Sequence, residues 1–116
     1  MAAKEQYLAN WLTKADNDLK IVGHEMANQD PVTDAVCFHC QQAVEKYLKA
    51  FLMQHDRECA RTHNVDALLA ECRAIDSAFN VLDLGNLNFF GVSIRYPDDF
   101  YLPTLEECNR YATIAG

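Results

Sequence analysis

The sequence predicts an all-α protein, an up-and-down bundle of four to five helices in a single domain that spans residues 1–116. Apolar residues recur at spacings of three and four along most of the chain, which is the period of an α-helix with one buried face. No segment shows a convincing strand pattern. Short links join the helical segments, as in bundles whose neighbouring helices run antiparallel. A chain of 116 residues leaves no room for a second core.

The first helix is expected from about Gln6 to Ala27. Its predicted core positions are spaced alternately by four and three residues: Leu8, Leu12, Ala15, Leu19, Val22 and Met26. Asp30-Pro31 should break the chain, because proline disfavours a helical conformation at the residue before it. Thr33 or Asp34 is then expected to cap the next helix.

The central helix is expected from about Val36 to Gln54. Its apolar arc is roughly twice as wide as the stripe of about 100° that a helix with one neighbour needs, so it should pack against two or three other helices. Gln41 falls inside this arc and should have a hydrogen-bond partner there, since a buried amide without one is costly. The opposite side is a polar strip formed by His39, Gln42, Glu45, Lys46 and Lys49.

Three further helices are expected toward the end of the chain. The third covers roughly Asn64 to Arg73, and the fourth runs from about Ser77 to Ile94, although two glycines weaken it by up to about 1 kcal/mol each. The last helix should begin with a capping box, in which the side chains of Thr104 and Glu107 bond each other's backbone N–H groups. It should continue to about Ala115.

Composition excludes several classes of protein. The net charge of −7 argues against non-specific coating of nucleic acid, which is driven by Lys and Arg. No apolar run approaches the roughly 18 residues of a membrane span, and the N-terminus lacks a signal peptide. The five cysteines are an odd number, which favours free thiols in a reducing compartment. We therefore expect a cytoplasmic protein with no membrane contact, in which Cys37 and Cys40 are buried thiols.

Spacing alone predicts no metal site, cofactor or catalytic residue. The Glu-x-x-His pairs of di-iron bundles and the Gly-rich loops that hold phosphates are both missing from the sequence. The polar signals that remain can form one patch: Gln42, Glu45, Lys46, Lys49, His63, Arg95 and Tyr96. Such a patch suits a phosphate or a nucleotide, because Arg offers a bidentate fork and Lys a point charge. The alternative is purely structural: Glu45 pairs with Lys49 one turn away, while Arg95 and His63 serve helix ends.

Four segments resemble the HEPN domain family in their order along the chain: Ala15-Asp16-Asn17-Asp18-Leu19, Gln41-Gln42-Ala43-Val44-Glu45-Lys46-Tyr47-Leu48-Lys49-Ala50, His63-Asn64-Val65 and Arg95-Tyr96-Pro97. The resemblance implies an all-α bundle that forms a homodimer. It also implies a nucleotide or RNA ligand and a partner nucleotidyltransferase, as in toxin–antitoxin pairs. Many members of the family are metal-independent ribonucleases with an Arg-x(4–6)-His motif late in the domain.

This chain departs from the ribonuclease pattern, because Arg95 has no histidine after it. Arg57 and His63 match the spacing by number, but they precede the third helix. The leading hypothesis is therefore a binding module for a nucleotide or RNA, in which Arg95 and Lys49 contact phosphate. Gln42 and His63 would supply hydrogen bonds to the ligand, and Glu45 would orient Arg95.

Two alternatives remain open from the sequence. One is a metal-independent endoribonuclease toxin that uses His63 with Arg57 or Arg61. The other is an assembly partner whose polar residues only bridge helices. No cofactor is expected under any of the three hypotheses, and any dimer should have two-fold symmetry.

Overall fold

The structure is a computed structural model that describes residues 2–56, 62, 64–85, 87 and 103–115. Four α-helices and one short 3₁₀ helix make up the regular structure of this part of the chain: α1 (Ala2–Met26), α2 (Thr33–Gln54), α3 (Val65–Ile75), the 3₁₀ helix (Ser77–Val81) and α4 (Leu105–Ala115). The described residues contain no strand. The predicted all-α bundle is confirmed.

Helix α2 lies at the centre of the bundle and contacts α1, α3 and α4. The α1–α2 interface is the most extensive of the three. The buried apolar side chains of α2 are Val36, Cys37, Cys40, Ala43, Val44, Leu48, Ala50 and Leu52. All of them except Ala50 pack with Leu68 and Leu69 of α3 and Tyr111 of α4 in one core. Burial on several sides explains why the apolar arc of this helix is so wide.

Helix α1 packs against this core along one stripe. Ala15 and Val22 are buried, and Leu19 and Met26 pack against the core from its edge. Leu12 is 39% exposed, so the prediction that it is a core residue is wrong. It lies at the margin of the stripe, where it borders an open apolar groove together with Phe51.

Helix α2 begins earlier than predicted. Its first residue is Thr33 and its N-cap is Val32, whose side chain makes no capping hydrogen bond, so the expected cap at Thr33 or Asp34 is wrong. The Val32 N–H instead donates to Glu25 Oε1 at 2.9 Å, which fixes the entry of the chain from α1. Asp34 is already inside the first turn, where its Oδ1 accepts from the Ala35 N–H at 2.9 Å.

The region predicted as a fourth helix differs most from expectation. Only Ser77–Val81 is helical, as a 3₁₀ turn, and Leu82 is extended. Asp76 and Asp83 explain the break, because each carboxylate accepts from the backbone N–H two residues later, at 2.9 Å in both cases. Side chains that bond nearby backbone in this way compete with an α-helix. The continuous helix is therefore wrong over residues 77–85, and residues 88–94 of the prediction lie outside the described residues.

Gly85 also prevents a helix here. Its φ of +56° lies in the left-handed region, and a Cβ at this position would stand 2.9 Å from Arg110 Nη2. The Arg73 guanidinium bonds the same segment from α3, donating to the carbonyl oxygens of Phe79 at 3.4 Å and Leu82 at 2.7 Å. These carbonyls are satisfied by a side chain and not by a following helical turn.

Helices α3 and α4 begin close to where the sequence predicts. Asn64 is the N-cap of α3, and its Oδ1 accepts from the Ala67 N–H at 3.1 Å. At α4, Thr104 Oγ1 accepts from the Glu107 N–H at 3.1 Å, and Glu107 Oε1 accepts from the Thr104 N–H at 3.2 Å. The predicted capping box is confirmed.

Candidate functional site

A chain of polar side chains runs along α2 inside the bundle, and we call Gln42, Gln41, Glu45 and Lys49 the α2 polar chain. Gln42 Nε2 donates to Gln41 Oε1 at 2.6 Å, and Gln41 Nε2 donates to Glu45 Oε1 at 3.2 Å. Lys49 Nζ donates to Glu45 Oε2 at 3.3 Å. Gln41 is fully buried, so the predicted need for a hydrogen-bond partner at this position is confirmed.

The inner end of the α2 polar chain lies against α1. Lys49 Nζ stands 5.5 Å from the centroid of the Trp11 ring, within the range of a cation–π interaction. The Lys49 and Glu45 side chains are only 8% and 4% exposed. Trp11 therefore helps to keep water away from this ion pair, which strengthens the attraction between its charges.

A second polar cluster, the Asp18 cluster, joins the two long helices farther along the same interface. Asp18 of α1 is 7% exposed. Its Oδ1 lies 3.0 Å from His39 Nδ1, and its Oδ2 accepts from Lys46 Nζ at 2.5 Å. One carboxylate on α1 thus holds two polar residues of α2 that lie two turns apart.

The neighbouring pair of Tyr47 and Asp16 also crosses this interface. The Tyr47 hydroxyl donates to Asp16 Oδ1. Burial, and secondarily this hydrogen bond, raise the pKa of Tyr47 to about 12. The phenol is therefore neutral and remains a donor over the ordinary pH range.

The chain also matches a known protein family. The HEPN domain family matches residues 8–116, which is nearly the whole sequence. The chain belongs to the HEPN domain family. Searches among curated proteins and among solved structures returned no match. Membership supports a nucleotide- or RNA-related module in general terms, and HEPN domains often form dimers.

The HEPN domain brings together only part of the predicted patch. Gln42, Glu45 and Lys49 are joined through Gln41 in the α2 polar chain, whereas Lys46 points to Asp18. The other predicted patch residues, and the two arginines of the ribonuclease hypothesis, lie outside the described residues: His63, Arg95, Tyr96, Arg57 and Arg61. Their roles stay predictions.

Sequence analysis missed the acidic partners on α1. Asp18 lies three residues after Ala15 and four before Val22, so it falls on the buried stripe of α1. A carboxylate in that position needs a partner, and this signal could have identified it. The identity of the partner required the register between α1 and α2, which periodicity within one helix does not contain.

Ion pairs within the site determine how much positive charge it offers to a ligand. The ammonium groups of Lys46 and Lys49 both have carboxylate partners, so an incoming anion has to compete with Asp18 or Glu45. Gln42, at the outer end of the α2 polar chain, is half-buried, and its Oε1 accepts no hydrogen bond from any described residue. The Gln42 amide is therefore the part of the α2 polar chain that can form a hydrogen bond to a ligand.

The cysteines form no ligand set in the part of the chain that the structure describes. Cys37, Cys40, Cys72 and Cys108 are buried there and form no disulfide, which confirms the expectation of buried thiols at Cys37 and Cys40. Burial raises the pKa of Cys40 to about 12, with a smaller effect of Cys108, and burial also raises the pKa of Cys37. No three metal-binding side chains meet among the described residues. None of the helices described has the length and apolarity that a bilayer crossing requires.

Proposed function

We propose that this HEPN domain is a binding module for a nucleotide or a segment of RNA. We further propose that it works as a homodimer within a nucleotidyltransferase-associated system of the toxin–antitoxin kind. The observation that carries the proposal is the family match over residues 8–116. The charge buried along α2 supports it, and we assign the ligand to that face of the bundle.

The buried pair of Glu45 and Lys49 is costly for a protein of this size. Removing an ion from water costs several kcal/mol even after the surroundings relax, and a well-packed apolar pair of the same volume is often as stable or more stable. The pair is therefore poor evidence for a role in stability. We therefore assign the pair a role in binding.

We assign the ligand contacts as follows. Arg95 and Lys49 contact phosphate, Gln42 and His63 form hydrogen bonds to the ligand, and Glu45 orients Arg95. The phosphate competes with Glu45 for the Lys49 ammonium, which is already held in the ion pair. We also assign Lys46 and Tyr96 to this ligand, and Lys46 contributes charge that Asp18 partly neutralises.

The test is a calorimetric titration of the purified protein with ATP and with a short single-stranded RNA, at low and high salt. We expect binding that weakens as salt rises, because Lys and Arg contacts to phosphate release counterions. Arg95→Ala should weaken binding at least about tenfold, as expected for loss of a charge-assisted bidentate contact. The matched control is Arg110→Ala. Arg110 is an exposed arginine of α4 whose Nη2 lies 4.0 Å from Asp83 Oδ2. Absence of binding by the wild-type protein would contradict the proposal.

The partners need separate measurements. Light scattering on a sizing column should give twice the chain mass of 13.2 kDa if the homodimer forms. Co-expression with the nucleotidyltransferase encoded beside it should yield a complex that survives purification. A monomeric mass, or the lack of such a neighbouring gene, would remove that part of the proposal.

A second candidate function is a structural assembly partner without a ligand. The observation that favours it is that both lysines of the strip, Lys46 and Lys49, are ion-paired with carboxylates of the same chain. This candidate predicts that Arg95→Ala lowers the melting temperature and changes no binding, so the titration above separates the two functions.

A further inference from the structure

A small pocket lies between α1 and α2 and is lined in part by two aromatic residues. It has a volume of about 210 Å³ and is lined by Tyr7, Asn10, Trp11 and Lys14 of α1 with Lys46 of α2. Apart from Lys46, none of these residues belongs to the patch assigned above. Its volume is below the usual range for drug-sized ligands, which limits the occupant to about one ring and a small substituent.

The aromatic part of the pocket offers a surface for stacking. The rings of Tyr7 and Trp11 meet edge to face, with centroids 6.2 Å apart and planes at 75°. Tyr7 is 56% exposed, so much of its phenol is accessible to a planar ligand. An exposed aromatic side chain of this kind is a stacking platform in many proteins that bind single-stranded nucleic acid.

The polar part of the pocket favours an anion. Lys14 is exposed and forms no ion pair with any residue that the structure describes, whereas Lys46 is held by Asp18 at 2.5 Å. The pocket therefore presents one uncompensated positive charge on a protein whose net charge is −7. One phosphate group suits this single positive charge better than a polyphosphate, because the negatively charged protein repels each additional negative charge of the ligand.

One side-chain amide adds a hydrogen-bonding group to the pocket. Asn10 Oδ1 accepts from Gln6 Nε2 at 2.9 Å, which orients the amide. The amide nitrogen of Asn10 then remains as a donor for an acceptor on the edge of a base.

We propose that this pocket binds one heteroaromatic base that carries one phosphate, with the base stacked on Tyr7 and the phosphate bonded by Lys14. The ligand is either a free nucleoside monophosphate or one nucleotide of a single-stranded RNA. This inference rests on the proposed function for its ligand class and adds a second contact region, on α1, to the patch on α2.

Trp11 is the single tryptophan of the chain, so its fluorescence reports on this pocket and on the Lys49 contact beside it, and the variants below separate the two. The titrants are AMP, a short oligoadenylate RNA, adenosine and inorganic phosphate, each followed by fluorescence and by calorimetry. We expect AMP or the RNA to change the emission of Trp11, and inorganic phosphate alone to leave it unchanged. A response to AMP identifies the free nucleotide as the ligand, and a response to the RNA alone identifies a nucleotide within a strand.

Four variants locate the binding on α1. Tyr7→Ala should weaken binding about fivefold or more, as loss of a stacked base does, while Tyr7→Phe keeps the ring and should bind as wild type. Lys14→Gln should weaken RNA binding. The slope of log K against the log of the salt concentration should become shallower by about 0.7. The matched control is Lys20→Gln, which removes an exposed lysine of the same helix outside the pocket and should have no effect. Circular dichroism confirms that each variant is folded.

The outcomes separate this inference from the function on which it rests. If calorimetry shows nucleotide or RNA binding of equal affinity in wild type, Tyr7→Ala and Lys14→Gln, the pocket assignment is overturned and the proposed function stands. If wild type binds none of the titrants, both fail. If Tyr7→Ala and Lys14→Gln change the oligomeric mass and not the affinity, the pocket is a contact between chains, and the inference is overturned.

Discussion

Lys49 Nζ lies 3.3 Å from Glu45 Oε2 in an ion pair whose side chains are 8% and 4% exposed. The two residues are one turn apart on α2, so their backbone geometry alone brings them together. What α1 adds is burial, through the Trp11 ring that lies against the ammonium. The strength of this pair is thus a property of the α1–α2 interface and not of α2 alone.

The first prediction concerns the charge balance of this pair. Lys49→Met should lower the free energy of unfolding by about 3–5 kcal/mol, because it leaves the Glu45 carboxylate buried without its cation. The double variant Glu45→Gln with Lys49→Met should recover most of the loss, since it removes both charges and keeps an oxygen that accepts from Gln41. Urea unfolding of the wild type, both single variants and the double variant measures this coupling. Additive losses in the double variant would contradict a buried pair.

The second prediction concerns the Asp18 cluster. Asp18→Ala should lower the free energy of unfolding by about 1–3 kcal/mol, because Lys46 and His39 lose a buried acceptor. Asp16→Ala is the matched control on the same helix: Asp16 is exposed, so its loss should cost less. Urea midpoints of the two variants compare them directly, and an equal loss in both would contradict a special role of Asp18.

The third prediction concerns alkaline pH. The pKa of Tyr47 is raised from 10.0 to about 12 in the folded protein. Because the folded pKa lies above the unfolded value, the contribution of this phenol to stability is fully present below pH 10 and is lost as the pH rises toward 12. In an ultraviolet titration, Tyr47→Phe should remove a tyrosine that ionises near pH 12. Asp16→Asn should move that ionisation to lower pH, because the neutral amide no longer repels the phenolate, and an unchanged curve in both variants would show the assignment to be wrong.

The fourth prediction concerns thiol reactivity. The four described cysteines are buried, and burial raises the pKa of Cys37, Cys40 and Cys108. A thiol is a nucleophile only as the thiolate, so these cysteines should resist iodoacetamide in the folded protein and react in urea. Mass spectrometry of tryptic peptides identifies the sites. Rapid labelling of Cys40 without denaturant would contradict its burial.

Much of the bundle was predictable because its signals are local. The stripe of α1, the wide arc of α2 and the caps at Asn64 and Thr104 depend on residues within one or two turns of each other. The buried Gln41 was predictable for the same reason, since its partner Glu45 lies one turn away. These features need no knowledge of how the helices pack.

The structural predictions were wrong where contacts between distant residues override the local preference of the sequence. The 77–85 segment has apolar residues at helical spacing, yet Arg73 bonds its carbonyl groups and Gly85 takes a left-handed φ of +56°. The partner of Lys46 lies 28 residues away, on α1. Spacing within one helix does not contain that information, so the sequence led us to assign Lys46 to the same patch as Lys49.

The close pairing of α1 with α2 also bears on the order of folding. The two helices are joined by a link of only six residues, between Met26 and Thr33, so their contacts form with little loss of chain entropy. Helix α4 meets α2 through Cys108 and Cys37, which are 71 residues apart in sequence, and closes a much longer loop. A nucleus that contains the α1–α2 hairpin is therefore the expected rate-limiting structure, with the C-terminal helix docking afterwards. Destabilising changes in α4 should then accelerate unfolding and leave the refolding rate nearly constant.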